Sequence, residues 1–226
     1  MKNKMYQITD IQIKKNNKNK VEIFVNGEFF IETYFSIINN LDLYIGKMLT
    51  KQMLEALKRN DELTSAKNDA IRFLSYRPRS VWEIKKKLKD KKYLHHVIQD
   101  VINWLTQEGF IDDRDFALRW IKSQVIKKPA GRIKLKNELY GKGIPKEIAD
   151  SVIESFFEQE DELKLAYQLI RKKDVSLKLK NTKLDPKKIV NLLKSQGFSN
   201  PVIQKIFEDF PINEDRSDSY SDRVDF

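Results

Sequence analysis

IKKKLKDKKYLHHVIQDV, residues 84–101, places apolar side chains at Ile84, Leu88, Tyr93, Val97 and Val101, at spacings of 4, 5, 4 and 4. The same spacing returns at Leu135, Leu139, Ile144, Ile148 and Val152, and again at Ile189, Leu193, Phe198, Val202 and Ile206. Steps of four keep apolar residues on one face of a helix. The step of five is where one stripe stops and the chain reverses into a second helix whose stripe faces the first, so each copy reads as a helical hairpin. Gly143 and Gly197 stand just before that step, where a positive φ closes a helix without a Cβ penalty. The first copy has Lys92 there, which predicts a different or strained turn.

A leading helix precedes each hairpin, with stripes Ala70, Phe73, Leu74, then Phe116, Ala117, Trp120, Ile121, then Leu165, Ala166, Leu169. The periodicity predicts helices near 64–76, 80–90, 94–108, 113–127, 131–141, 145–157, 160–172, 186–195 and 199–209. Three-helix units of this size cannot bury their faces alone, and stacking supplies the missing contacts. The expected fold is therefore mainly α, an elongated array of three tandem three-helix repeats resembling helix-turn-helix units, about 70 to 90 Å long. The first 50 residues differ. Ile8, Ile11, Ile13 and Val21, Ile23, Val25 mark two extended runs, and Asn26-Gly27 fits a tight hairpin turn before Phe29-Phe30-Ile31. Thr50 caps a helix through Met53, Leu54 and Leu57. The expected organisation is a β-rich segment over 1–50, a linker helix and first repeat over 51–110, repeats over 111–158 and 159–210, and a disordered acidic tail over 211–226.

The chain has 226 residues and a net charge of +10, an excess that favours a polyanionic partner. Residues 208–226 carry seven acids against Arg216 and Arg223, so the preceding chain is more basic still. Cysteine is absent, which excludes a thiol nucleophile, disulfides and Cys-based zinc sites. No apolar run is long enough to span a bilayer and no signal-peptide core opens the chain, so the sequence reads as cytoplasmic, with no membrane role. It contains no Gly-rich phosphate loop, G-x-S-x-G or H-E-x-x-H, and so predicts a binding protein without catalytic residues, cofactor or metal.

Ser80 and Glu83 form a capping-box pattern at the start of the first hairpin. Arg77 and Arg79 have no such duty in the sequence, and sit at a helix mouth that favours an anion. Lys85, Lys86, Lys87, Lys89, Lys91 and Lys92 crowd the outer face, interrupted only by Asp90, and read either as a solvated face or as a binding one. Trp82 lies about 160° around the helix from Ile84. It is placed to stack on a base, to fill an interface pocket or to pack on a neighbouring unit. Asp112, Asp113 and Asp115 read as helix capping rather than a metal site, and His95 and His96 as surface residues.

Several of these motifs together resemble the RecX family of RecA modulators. They are Arg77-Pro78-Arg79-Ser80 followed by Glu83, Ile84 and Leu88; Gly109-Phe110-Ile111-Asp112-Asp113 followed by Phe116-Ala117; Gly131 followed by Leu135, Glu138-Leu139 and Lys142-Gly143-Ile144; and Leu192-Leu193 with Gly197-Phe198. The resemblance covers about residues 64–209. Lys92 departs from the usual glycine, and Gln196 stands where the family usually has a basic residue. The resemblance implies a monomer that binds in the groove of the RecA filament on single-stranded DNA, bridges neighbouring protomers, and lowers ATP hydrolysis, strand exchange and the SOS response. DNA contact, to single or double strands, would be independent of sequence. Motif position and charge nominate Arg77, Arg79, Lys85, Lys86, Lys89, Arg132, Lys136 and Lys142 as contacts. A helix-turn-helix-like nucleic-acid regulator acting without RecA, and a helical adaptor for another acidic protein, are the competing readings.

Overall fold

Alternating apolar residues open the chain. In the computed structural model, which describes residues 4–178 and 185–209, they form strands β1 (Met5–Ile13), β2 (Lys20–Val25) and β3 (Glu28–Tyr34). The expected tight turn falls at Asn26 and Gly27, both at positive φ (52° and 87°). Two elements were not foreseen: the short helix α1 (Phe35–Asn40) and the strand β4 (Met48–Thr50), which pairs with β1 to complete an antiparallel sheet of order β3-β2-β1-β4. Ile8, Val21, Ile23, Val25 and Leu49 bury one face of this sheet against Ile37, Ile38 and Leu43.

The helix capped by Thr50 does not stop near Leu57. It runs unbroken as α2 (Lys51–Leu74), so the expected linker helix and the leading helix of the first repeat are one element. Its apolar pattern lapses between Leu57 and Leu63 because the helix leaves one core and enters another. Leu54 and Leu57 pack under the sheet, whereas Ala66 and Ala70 pack with Ile84, Leu88, Val97 and Val101.

The chain divides into two compact units, 1–111 and 112–226. The first holds the sheet, α2, α3 (Val81–Asp90) and α4 (His95–Gln107). The second holds α5 (Asp113–Lys127), α6 (Arg132–Gly141), α7 (Lys146–Gln159), α8 (Glu162–Lys178), α9 (Pro186–Ser195) and α10 (Asn200–Asp209). Nine of the ten helices among the described residues account for the three sets of three read from the sequence. The acidic tail expected over 211–226 lies outside the described residues.

All three hairpins close in the same way. The residue before the apolar turn position adopts positive φ, at 67° for Lys92, 73° for Gly143 and 72° for Gly197. The following amide then donates to a carbonyl five residues back: Tyr93 N to Leu88 O (3.3 Å), Ile144 N to Leu139 O (3.1 Å) and Phe198 N to Leu193 O (3.1 Å). This is the Schellman closure, which satisfies carbonyls that a helix end otherwise leaves open. The first turn is therefore not different in shape. It carries a lysine in a conformation that costs an L-residue about 1–2 kcal/mol. Two side-chain bonds secure it: Lys91 Nζ lies 2.5 Å from Asp69 on α2, and the Tyr93 hydroxyl donates to the same carboxylate at 2.8 Å.

In the second unit the turn glycine is also a contact surface. Gly131 N donates to Gln196 O (2.9 Å) and Ile133 N to Gly197 O (3.0 Å). A Cβ at Gly197 would fall 2.3 Å from Lys134 N, and one at Gly131 2.3 Å from Gly197 O. The second and third repeats thus meet backbone to backbone. Glu162, only 7% exposed, clamps them: its carboxylate accepts from Arg132 N (3.1 Å), Ser199 N (3.3 Å) and Ser199 Oγ (3.2 Å), with Arg132 Nε 3.3 Å away. Gln196, the departure from the family pattern, is buried here and accepts from Lys134 Nζ at 2.7 Å. A basic residue at 196 would set a second cation against the Lys134 ammonium.

Two consequences are measurable by urea denaturation. Lys92→Gly relieves the left-handed lysine and should raise stability by about 1 kcal/mol, whereas Gly197→Ala should lower it by at least about 2 kcal/mol through the Lys134 clash. Burial pushes the Asp69 carboxyl up, but its bonds to Lys91 and Tyr93 outweigh this and hold it below its ordinary value. A depressed carboxylate stabilises the fold above its unfolded pKa and loses that contribution as pH falls through the folded value. Asp69→Asn should therefore cost about 1–2 kcal/mol at pH 7, with the cost fading as the pH is lowered below about 4.

A candidate partner interface on the first repeat

Ser80 ends the extended approach to α3 and caps it. Its hydroxyl accepts from Glu83 N (3.2 Å) while Glu83 Oε2 accepts from Ser80 N (3.1 Å), the reciprocal capping box expected from the sequence. The Glu83 carboxylate also takes both Nη atoms of Arg77, at 2.6 and 3.1 Å. Arg77 therefore has the structural duty that the sequence did not reveal: it braces the cap. Burial pushes Glu83 up, but the bonds from Arg77 and from Ser80 N–H bring its carboxyl below the usual range.

Arg79 behaves differently. Its guanidinium lies over the Phe73 ring, 3.9 Å from the centroid, and it makes no ion pair among the described residues. Burial, with the neighbouring Arg77 charge, lowers its pKa. Farther along α3, Lys85, Lys86 and Lys89 project from the exposed face, while Ile84 and Leu88 are fully buried. Lys86 Nζ sits 5.2 Å from the ring centre of Trp82, which is 45% exposed. Trp82, Lys85, Lys86, Lys89, Asp90, His95, Ile98 and Gln99 line one open groove of about 580 Å³ between α3 and α4. His95, read from the sequence as a plain surface residue, forms part of its wall.

The three candidates in the second repeat are engaged within the fold. Arg132 bonds Glu154 (2.8 Å) as well as Glu162, and its guanidinium stacks 4.7 Å from the Phe157 centroid. Lys136 Nζ lies 2.5 Å from Asp150, whose carboxylate also accepts from the Tyr140 hydroxyl at 3.0 Å. That shared bond raises the Lys136 pKa and lowers that of Asp150. Lys142 Nζ is 5.2 Å from the Trp120 ring centre. The structure thus gathers Lys85, Lys86 and Lys89 on one groove, places Arg79 on the loop leading into α3, and ties Arg77, Arg132 and Lys136 into ion pairs. Elsewhere, Asp112 caps α5 by accepting from the backbone N–H of Arg114 and Asp115, as expected. Among the described residues, no group of three His, Asp or Glu could hold a metal, and no helix is long and apolar enough to cross a membrane.

Three-helix repeats, one of them with a cationic, aromatic-bearing groove, define a helical-repeat protein. Known proteins carry similar repeats. Residues 66–105 match "RecX, first three-helix domain" and residues 112–153 match "RecX, second three-helix domain". Regulatory protein RecX of Listeria welshimeri is 29% identical over 199 residues, spanning 87% of this chain and 72% of that one. The namesake from Halalkalibacterium halodurans is 27% identical over 217 residues, 94% of this chain and 81% of its own. Two solved structures share the fold: a regulatory protein RecX (TM-score 0.72, 22% identity, 90% of this chain and 99% of that one) and RecX from Lactobacillus salivarius (TM-score 0.59, 23% identity, 66% and 97%). Over most of its length the chain is thus similar to RecX regulatory proteins, and its first two repeats match RecX three-helix domains.

The division of labour among the basic residues predicts opposite stability effects. Arg132→Ala leaves the buried Glu162 charge short of its partner and should cost about 3 kcal/mol, while Lys85→Ala with Lys89→Ala should stay within about 0.5 kcal/mol of the parent. Chemical denaturation of the two variants checks both.

Proposed function

We propose that this protein regulates a RecA-type recombinase by binding its filament on single-stranded DNA, bridging neighbouring protomers, and lowering ATP hydrolysis and strand exchange. In the cell it would restrain recombination and the SOS response from the cytoplasm, acting as a monomer. One observation carries the reading. Within a RecX repeat, Lys85 and Lys89 stand exposed on one helix face with no ion-pair partner among the described residues, a surface suited to a polyanionic filament. Repetition of the unit supports it as well, since several weak contacts to successive protomers add when they are linked in one chain.

The test is a titration of DNA-dependent ATP hydrolysis by RecA. Substoichiometric protein should slow hydrolysis, and the Lys85→Ala, Lys89→Ala variant should need about ten times more protein for the same effect, the loss of roughly 1.4 kcal/mol of binding. No effect of the parent protein at any ratio would contradict the proposal. Sequence-selective binding to duplex DNA without RecA would replace it with a helix-turn-helix-like regulator.

A further inference from the structure

Aligned by the 4, 5, 4, 4 register, the first two hairpins can be compared position by position, with Lys85 corresponding to Lys136 and Gln99 to Asp150. In the second repeat the pair is an ion pair, Lys136 Nζ to Asp150 at 2.5 Å. In the first, the facing residue is an uncharged amide, and Lys85 and Gln99 line the same groove without a bond between them among the described contacts. One acid-to-amide difference thus leaves a lysine available in the first repeat that the second repeat neutralises. Lys89, one helical turn away, is likewise without an ion-pair partner among the described residues, and Asp90 is the only carboxylate among the groove's described lining. The platform is also particular to this repeat: Trp82 corresponds to Ile133 in the second and Lys187 in the third.

We propose that the α3–α4 groove is a single-stranded nucleic-acid site, in which Trp82 stacks on a base, Lys85 and Lys89 hold flanking phosphates, and Gln99 keeps Lys85 free for this task. The inference deepens the proposed function and rests on it for its setting, because it assigns the first repeat to the strand inside the filament rather than to the recombinase. The chemistry favours a single strand. Lys85 and Lys89 lie one turn, about 6 Å, apart along α3, a step that suits successive phosphates of an extended strand. An exposed indole needs an unstacked base, and a duplex keeps its bases paired and stacked, whereas a single strand offers π-faces to any aromatic platform. Lys86, over the indole ring at 5.2 Å from its centre, leaves the opposite face for a base and adds a cation to the stack.

The experiment uses the full chain without RecA and a fluorescein-labelled oligothymidylate, read by anisotropy. Gln99→Asp, which rebuilds the second repeat's ion pair in the first, should weaken binding at least tenfold while thermal unfolding stays unchanged. Trp82→Ala should weaken it about tenfold and Trp82→Phe much less, as base stacking requires. Lys85→Ala with Lys89→Ala should reduce the slope of log K against log salt by about 1.4, or roughly 0.7 for each lost phosphate contact on a single strand. Binding by Gln99→Asp as tight as by the parent overturns the proposal. So does equal affinity for a duplex of the same length with no dependence on Trp82, which would identify a nonspecific cationic face. Failure here, with RecA ATPase still slowed, would count against this site alone; intact oligonucleotide binding with no effect on RecA would count against the proposed function alone.

Discussion

Every hairpin of this protein depends on one backbone residue held at positive φ. That residue aims the next amide back at the carbonyl five positions earlier, at 3.1 to 3.3 Å in the three copies, and so fixes the angle at which two apolar stripes meet. The buried residues on either side, Leu88 with Val97, Leu139 with Ile144, and Leu193 with Phe198, are core residues because of that angle. Gly197 adds a second function, since the missing Cβ lets α6 lie directly on the turn. Lys92 adopts the same turn through bonds from its neighbours to Asp69, and its own side chain projects into solvent.

On this shared frame the repeats use charge in different ways. The second and third are joined by the Glu162 carboxylate and its bonds to Arg132 and Ser199, so their basic residues near the junction serve cohesion. A buried carboxylate in that position is tolerated because each of its oxygens accepts hydrogen bonds. The first repeat has a capping box braced by Arg77 and, beyond it, a face whose lysines have few acids to answer them. Lysines on that exposed face can therefore change without loosening the core.

Much of this was legible in the sequence, for a physical reason: repetition. A spacing that recurs three times reports a packing solution, and the helices, the glycine turns, the hairpin at Asn26-Gly27 and the capping box at Ser80 all followed from local rules. What was not legible depended on which residues meet in space. The continuity of α2 was hidden because a helix passing between two cores shows polar residues, Lys58 to Glu62, where a single amphipathic helix would show apolar ones. Strand β4 is three residues long and is specified by its pairing with β1 rather than by its own pattern. Arg77 looked like a cation without a structural duty until its partner six residues away was in view, and the Glu162 clamp depends on a partner 30 residues away. The contrast between Gln99 and Asp150 lay in the repeat register all along, but it acquires meaning only once Lys136 is seen bonded to Asp150.

In the proposed function this protein meets a DNA-filled filament through the exposed face of its first repeat, while the second and third repeats are joined by Glu162 and by backbone hydrogen bonds. Amide hydrogen exchange, followed by peptide for the protein alone and in the presence of RecA filaments on single-stranded DNA, tests it most directly. Filament binding through this face should add protection across residues 80–99, spanning the capping box, α3 and the start of α4. Unchanged exchange over that span, with protection confined to other parts of the chain, would contradict it.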